Sequence, residues 1–156
     1  MIAEELVFKL KEKQYHITTA ESCTGGLIAA YIVEISGASD VFEEGYVTYS
    51  NRVKEKNLGV SEKTIEAYTV VSEEVAAEMA EGVRKKAAAE LSVSVTGYAG
   101  PDDGEDGTPA GTVYIGTSLL GEIKVRRYQF SGERNAVRKQ AAEAAILFAE
   151  DRLRDS

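Results

Sequence analysis

Several residue types are nearly missing from this chain, and each shortage excludes a class of protein. One cysteine, Cys23, cannot form an internal disulfide, which excludes a disulfide-stapled framework and fits a reducing compartment. One histidine, His16, excludes a two-histidine metal site and leaves a Ser-His-Asp triad a single candidate base. Two prolines and no low-complexity stretch argue against extended disorder. Basic residues are also short: 18 Lys and Arg face 26 Asp and Glu, for a formal charge of -8. A general nucleic-acid binder needs a basic surface to displace counterions, so a broad DNA or RNA role is disfavoured. A small anionic ligand is not, because one or two arginines and a few backbone amides hold a phosphate. The longest apolar run, Leu27 to Val33, is far below the roughly 20 residues of a membrane helix. The start, Met-Ile-Ala-Glu-Glu, is acidic where a signal peptide is basic. The expected place is the cytoplasm, with no membrane partner.

What is present is enough for one folded unit. A 156-residue chain with 44% hydrophobic residues can bury a full core without staples. Apolar spacing predicts a helix over Ile2 to Lys13, and β-branched residues a strand over Tyr15 to Ala20. A second helix is expected from Leu27 to Ser36, stopped by Gly37, then a strand from Glu44 to Ser50. Asn51 is placed to cap a short helix carrying Lys54 and ending near Gly59. Another short helix follows Ser61, and a long one begins at Ser72, acidic in its first turn and basic at its end. Strands are expected over Leu91 to Thr96, Thr112 to Leu119 and Glu122 to Phe130, the last two forming a hairpin at Leu120-Gly121. Ile123 and Val125 are out of phase with Tyr128 and Phe130, which predicts a bulge near Arg126-Arg127. Ser131 would cap a final helix over about Glu133 to Leu153. This order predicts an α/β fold, a three-layer sandwich with helices on both faces of a mixed sheet.

Ser22 is the first candidate for chemistry. It lies between a strand end and a helix start, where outward amides favour an oxyanion or phosphate, and Gly25 and Gly26 leave room for a substrate. The plainer alternative is that Ser22 or Thr24 caps the helix. His16, six residues upstream in or before a strand, is a poor base for it, so an activated Ser22 would need lysine or tyrosine. Tyr49 and Lys54 form the natural pair, since a strand-turn-helix can bring both to one sheet edge; otherwise they are a packed aromatic and a surface lysine. A lysine base requires burial or a nearby cation to lower its pKa. The turn Thr96-Gly97-Tyr98-Ala99-Gly100-Pro101 follows a strand's carboxyl end, where open α/β sheets bind ligands. Arg134 and Arg138, four apart on the last helix, could clamp a phosphate or sit on the surface. The loop from Asp102 to Gly107 lacks the ligand spacing of a calcium loop and reads as mobile and solvated. Cys23 has neither a histidine nor a second cysteine to support a nucleophilic role.

Four stretches in order carry a resemblance over nearly the whole chain. They are Thr19-Ala20-Glu21-Ser22-Cys23-Thr24-Gly25-Gly26; Gly45-Tyr46-Val47-Thr48-Tyr49-Ser50-Asn51 with Lys54; Val95-Thr96-Gly97-Tyr98-Ala99-Gly100-Pro101 with Gly111-Thr112-Val113; and Phe130-Ser131-Gly132-Glu133-Arg134 with Val137-Arg138. Together they resemble the CinA C-terminal domain family, also called the nicotinamide-nucleotide amidase family. The resemblance implies hydrolysis of the carboxamide of nicotinamide mononucleotide to nicotinate mononucleotide and ammonia, with no metal or cofactor. By motif match, the nucleophile is Ser22 and its partners are Tyr49 and Lys54. The substrate would meet Cys23, Thr24, Gly25 and Gly26, the turn Thr96, Gly97, Ala99 and Gly100, and Arg134 or Arg138. Tyr98 departs from the family, which commonly has a smaller aliphatic residue there. The larger N-terminal domain of many members has no counterpart in this sequence, so residues 1–156 are expected to be a stand-alone domain, and a homo-oligomer is possible. The alternatives are a non-catalytic pyridine-nucleotide-binding module and an amidase for another small amide.

Overall fold

The computed structural model describes residues 1–154. In chain order the elements are α1 (Glu4–Lys13), β1 (Ile17–Glu21), α2 (Leu27–Val33), a 3-10 turn (Ala38–Asp40), β2 (Phe42–Val47), α3 (Asn51–Leu58), α4 (Glu62–Tyr68), α5 (Glu73–Ala87), β3 (Leu91–Gly97), β4 (Thr112–Leu119), β5 (Glu122–Gln129) and α6 (Arg134–Arg154). The strands form one sheet in the order β2-β1-β3-β4-β5. β1 lies parallel to β2 and β3, and β4 runs antiparallel to both its neighbours. This is the mixed-sheet α/β sandwich expected from the sequence.

The two faces differ in chemistry because strand side chains alternate. On one face Ile17, Val93, Val95, Val113 and Ile115 pack with residues of α1, α2 and α6, among them Leu6, Leu10, Ile28, Ile146 and Phe148. Fully burying each such side chain contributes about 1.5–3 kcal/mol. The other face is built from small and hydroxyl residues. Ser92 Oγ donates to the Ala80 carbonyl at 2.6 Å and Ser94 Oγ to the Ala76 carbonyl at 2.7 Å, both on α5. A Cβ on Gly116 would stand 2.6 Å from the Ala76 carbonyl oxygen, so only glycine lets α5 lie this close. Ala20, Val75, Met79, Val83 and Leu58 complete that layer.

The first two connections carry the chain to opposite sides of β1. α2 leads to β2 on one side, while α3, α4 and α5 carry the chain from β2 to β3 on the other. The carboxyl ends of β1 and β3 therefore flank a switch point, where such sheets open a crevice.

Three local expectations are corrected. β2 ends at Val47, and Ser50 rather than Asn51 caps α3, its Oγ accepting from the Val53 amide at 3.2 Å. The β4–β5 ladder runs in unbroken register from Thr112–Gln129 to Leu119–Glu122, without a bulge. The phase break arises because each face of this edge strand is partly covered: Tyr128 and Phe130 pack toward the α6 layer, and α5 lies over the other face. α6 begins at Arg134, with the Val137 amide donating to the Glu133 carbonyl, so its cap lies beyond Ser131.

Candidate active site

Ser22 leaves β1 with its amide donating to the Val95 carbonyl of β3 at 3.2 Å, which anchors it at the switch point. Gly25 and Gly26 then take φ values of +60° and +107°, turning the chain into α2. Glu21, buried at the end of β1, holds this turn from beneath. Its Oε1 accepts from Thr24 Oγ1 at 2.7 Å and from the amides of Gly26 and Ile28 at 3.2 and 2.9 Å; its Oε2 accepts from the Ala29 amide at 3.0 Å. The amides at the start of α2 are therefore occupied, which overturns the expectation that they face an oxyanion. Glu21 stood in a recognised motif, but sequence reasoning gave it no role. A carboxylate seven residues before the helix amide it accepts from has no local signature.

Lys54 comes from α3, one turn past its cap. It is 2% exposed, not a surface lysine. Its Nζ donates to Ser22 Oγ at 3.1 Å and to the Thr48 carbonyl at 2.9 Å. Neither acceptor carries a charge, so nothing offsets the cost of burying an ammonium. Burial accordingly pulls the Lys54 pKa down to about 8, with the neighbouring Cys23 the smaller, opposing influence. The same burial pushes the Cys23 thiol up to about 11, so it is a poor nucleophile although it lines the site.

Tyr49 stands at the rim, 62% exposed. Its hydroxyl accepts from Arg134 Nη2 at 2.8 Å, while Arg134 Nη1 donates to the Gly100 carbonyl at 2.7 Å. Arg134 thus ties α3's approach to the turn after β3. Arg138 is used differently: its Nε donates to the Cys23 carbonyl at 2.8 Å and its Nη2 to the Thr24 carbonyl at 3.2 Å, clamping the Ser22 turn from behind.

These groups surround a cavity of about 400 Å³. Ser22, Cys23, Tyr49, Lys54, Arg134 and the turn Thr96–Gly100 line it. Thr24, Gly25, Gly26 and Arg138 do not; they shape the Ser22 turn. Thr96 Oγ1 donates to the Val70 carbonyl at 2.8 Å and so holds the segment between α4 and α5 against the site. Sequence reasoning missed Asn51, Val70, Val71, Asp102 and Asp103 as lining residues. Val70 and Val71 arrive from a connection with no motif. The loop after Pro101 is not loose: the Gly104 amide donates to the Thr108 carbonyl at 2.8 Å and the Ala110 amide to Asp103 Oδ1 at 2.8 Å. His16 sits before β1, at the opposite strand end, with Glu43 and Glu90 beside its ring. Among the described residues no cluster of three or more His, Cys, Asp or Glu could hold a metal ion, and no helix is long and apolar enough to cross a membrane.

Fold and site together define an α/β sandwich with a buried serine–lysine pair at the switch point of its sheet. The sequence pattern of the CinA C-terminal domain matches residues 1–153, and the chain belongs to that family. A nicotinamide-nucleotide amidohydrolase of Enterobacter agglomerans is 51% identical over 95% of this chain and 91% of its own length. A CinA-like protein of Kosmotoga olearia is 46% identical over 93% of this chain, but only 35% of its own length is matched. A CinA-superfamily structure from Klebsiella pneumoniae superposes with a TM-score of 0.97 at 35% identity, covering 99% of this chain and 97% of that one. One from Escherichia coli gives 0.93 at 38% identity, covering 97% and 87%.

Proposed function

We propose that the protein hydrolyses the carboxamide of nicotinamide mononucleotide, giving nicotinate mononucleotide and ammonia, with Ser22 as nucleophile and Lys54 as general base. The observation that carries this is the buried Lys54 Nζ at 3.1 Å from Ser22 Oγ, with only neutral acceptors around it. The similarity to the Enterobacter amidohydrolase over almost its full length supports the choice of substrate.

Neutral Lys54 keeps its hydrogen bond to the Thr48 carbonyl and turns its lone pair to the Ser22 hydroxyl. It takes that proton as Ser22 Oγ attacks the carboxamide carbon. The amides of Cys23 and Thr24, which donate to no oxygen among the described residues, are the ones beside Ser22 left for the oxyanion. Such a donor typically contributes about 2.7–4 kcal/mol. Protonated Lys54 then gives its proton to the leaving nitrogen, the C–N bond breaks, and ammonia departs from a Ser22 acyl ester. Water attacks the ester, gives a proton to Lys54, and Ser22 regains it on release. Arg134, which lines the cavity, meets the phosphate; Arg138 holds the turn. Tyr49 bonds Arg134 rather than Ser22, so proton transfer runs directly between Ser22 and Lys54 and Tyr49 orients the arginine.

The test is ammonia release from nicotinamide mononucleotide by the purified protein, with Ser22→Ala alongside. Release that disappears in the variant is expected. Saturable binding without release would turn the assignment to a non-catalytic nucleotide-binding module, and release from other small amides alone would correct the substrate.

A further inference from the structure

Tyr98 stands directly after β3, in the turn that borders the Ser22 cavity, and its surroundings give it a chemistry. The ring lines the cavity that holds Ser22, as do Asp102 and Asp103. Gly104 lies against the back of the ring, where a Cβ would collide with Tyr98 Cε2 and Cζ, so the loop is shaped to this side chain. The loop is closed on itself, with the Gly107 amide donating to the Gly104 carbonyl at 2.9 Å and the Thr108 amide to Asp106 Oδ1 at 3.0 Å. Asp103 and Asp106 are held by backbone amides of this loop, and Asp102 and Glu105 stand exposed on it. None of the four is in an ion pair among the described residues.

Other rings in this protein have their cations already. Lys86 Nζ lies 5.5 Å from the Tyr46 ring centre, and the guanidinium carbons of Arg126 and Arg127 lie 4.0 and 5.9 Å from those of Phe148 and Tyr114. No described cation lies over Tyr98. An aromatic face in a cavity, backed by unpaired carboxylates, attracts positive charge from both the ring quadrupole and the acids. Two acids of the loop reach the ring electrostatically: after burial, Asp106 and Glu105 push the Tyr98 phenol pKa up.

We propose that Tyr98, with Asp102 and Asp103, forms a cation-recognising wall that selects carboxamides carried on a positively charged aromatic ring over neutral-ring analogues. This rests on the amidase reading and deepens it by naming the electronic character of the ring the site accepts. A pyridinium whose nitrogen bears the ribose carries such a charge; a benzamide ring of the same shape does not. The wall also acts on the product. Hydrolysis replaces a neutral carboxamide by a carboxylate on the same ring, which the acidic residues repel, so product is held less tightly than substrate.

The experiment uses Ser22→Ala protein, which binds without turnover, and calorimetry at low ionic strength. Two ligands are compared: nicotinamide mononucleotide and its neutral isostere, the 5'-phosphate of a 3-carbamoylphenyl C-riboside. The expected result is tighter binding of the pyridinium, by about tenfold or more. Adding Tyr98→Leu should shrink that ratio about three- to tenfold while barely changing the isostere, and Tyr98→Phe should preserve it. Asp102→Asn should shrink it by about two- to fivefold. Equal affinities before any change at position 98, or a ratio that Tyr98→Leu leaves intact, would overturn the wall while leaving the amidase reading in place. Failure of the Ser22→Ala protein to bind either ligand would instead remove the amidase reading, and the wall with it.

Discussion

Two buried ionisable side chains flank Ser22, and the chain treats them in opposite ways. Glu21, at the end of β1, has both carboxyl oxygens filled by one hydroxyl and three amides. Lys54, at the start of α3, has two neutral acceptors and no carboxylate. A buried polar group that is fully partnered rigidifies its surroundings, whereas a buried charge without a counter-charge shifts its pKa instead. The same degree of burial thus yields a fixed strut on one side of the serine and, in the proposed mechanism, a proton acceptor on the other. In the proposed mechanism Glu21 fixes the turn that carries Ser22, while Lys54 meets no carboxylate that would hold it protonated.

The comparison can be broken from the lysine side first. Lys54→Met should cut turnover of nicotinamide mononucleotide by about a thousandfold or more, read by ammonia release, as loss of a general base does. Circular dichroism should show the fold unchanged. Near-normal turnover would remove Lys54 from the mechanism. From the other side, Glu21→Ala strands three amides and a hydroxyl in the interior. It should cost about 3 kcal/mol or more in urea unfolding, with activity lost through the Ser22 turn. A loss under about 1 kcal/mol would mean that the turn holds itself.

The pH dependence sharpens the contrast. Lysine normally titrates at 10.5, and burial brings Lys54 to about 8. The active form is the neutral one, so log kcat/KM should climb with unit slope below pH 8 and level off above it. A flat profile between pH 6 and about 9 would contradict a lysine base. The smallest effect is on stability. Removing a buried cation that lacks a counter-charge should make Lys54→Met more stable than the parent by about 1–3 kcal/mol at neutral pH. The unfolded chain binds the proton more tightly, so parent stability rises as pH goes from about 8 to 10.5, and the gap to the variant should narrow over that window. Calorimetric melting of both proteins at pH 7 and pH 10 reads this directly.

Much of the arrangement was legible in the sequence because it is local. The β-branched run before Ser22, the hairpin at Leu120-Gly121 and the acidic start of α5 each carry their own signal, and together they gave the mixed sheet and its layers. Motifs single out Ser22, Tyr49 and Lys54, which the fold brings to one cavity, and the lack of histidine directs the search for a base to lysine or tyrosine. Burial of Lys54 was not legible. It depends on α3 meeting β1 across 32 positions of sequence, and composition alone places lysines outside. The bulge near Arg126-Arg127 was expected because a strand was assumed to have one buried face; β5 is covered in part on both. The oxyanion amides were misassigned because a helix start looks open until Glu21 is seen filling it. Val70 and Val71 reach the cavity from a connection that the Thr96 bond holds against the site, a tertiary contact without a local trace.

The central claim is that Lys54 is a desolvated base poised on Ser22. The most direct measurement is a carbon-13 NMR titration of the lysine Cε resonances in the resting protein, with Lys54→Met to assign the signal. One resonance should titrate near pH 8 and be absent from the variant. If the Lys54 resonance titrated near the ordinary lysine value of 10.5 instead, Ser22 would have no base at neutral pH and the proposed mechanism would be contradicted.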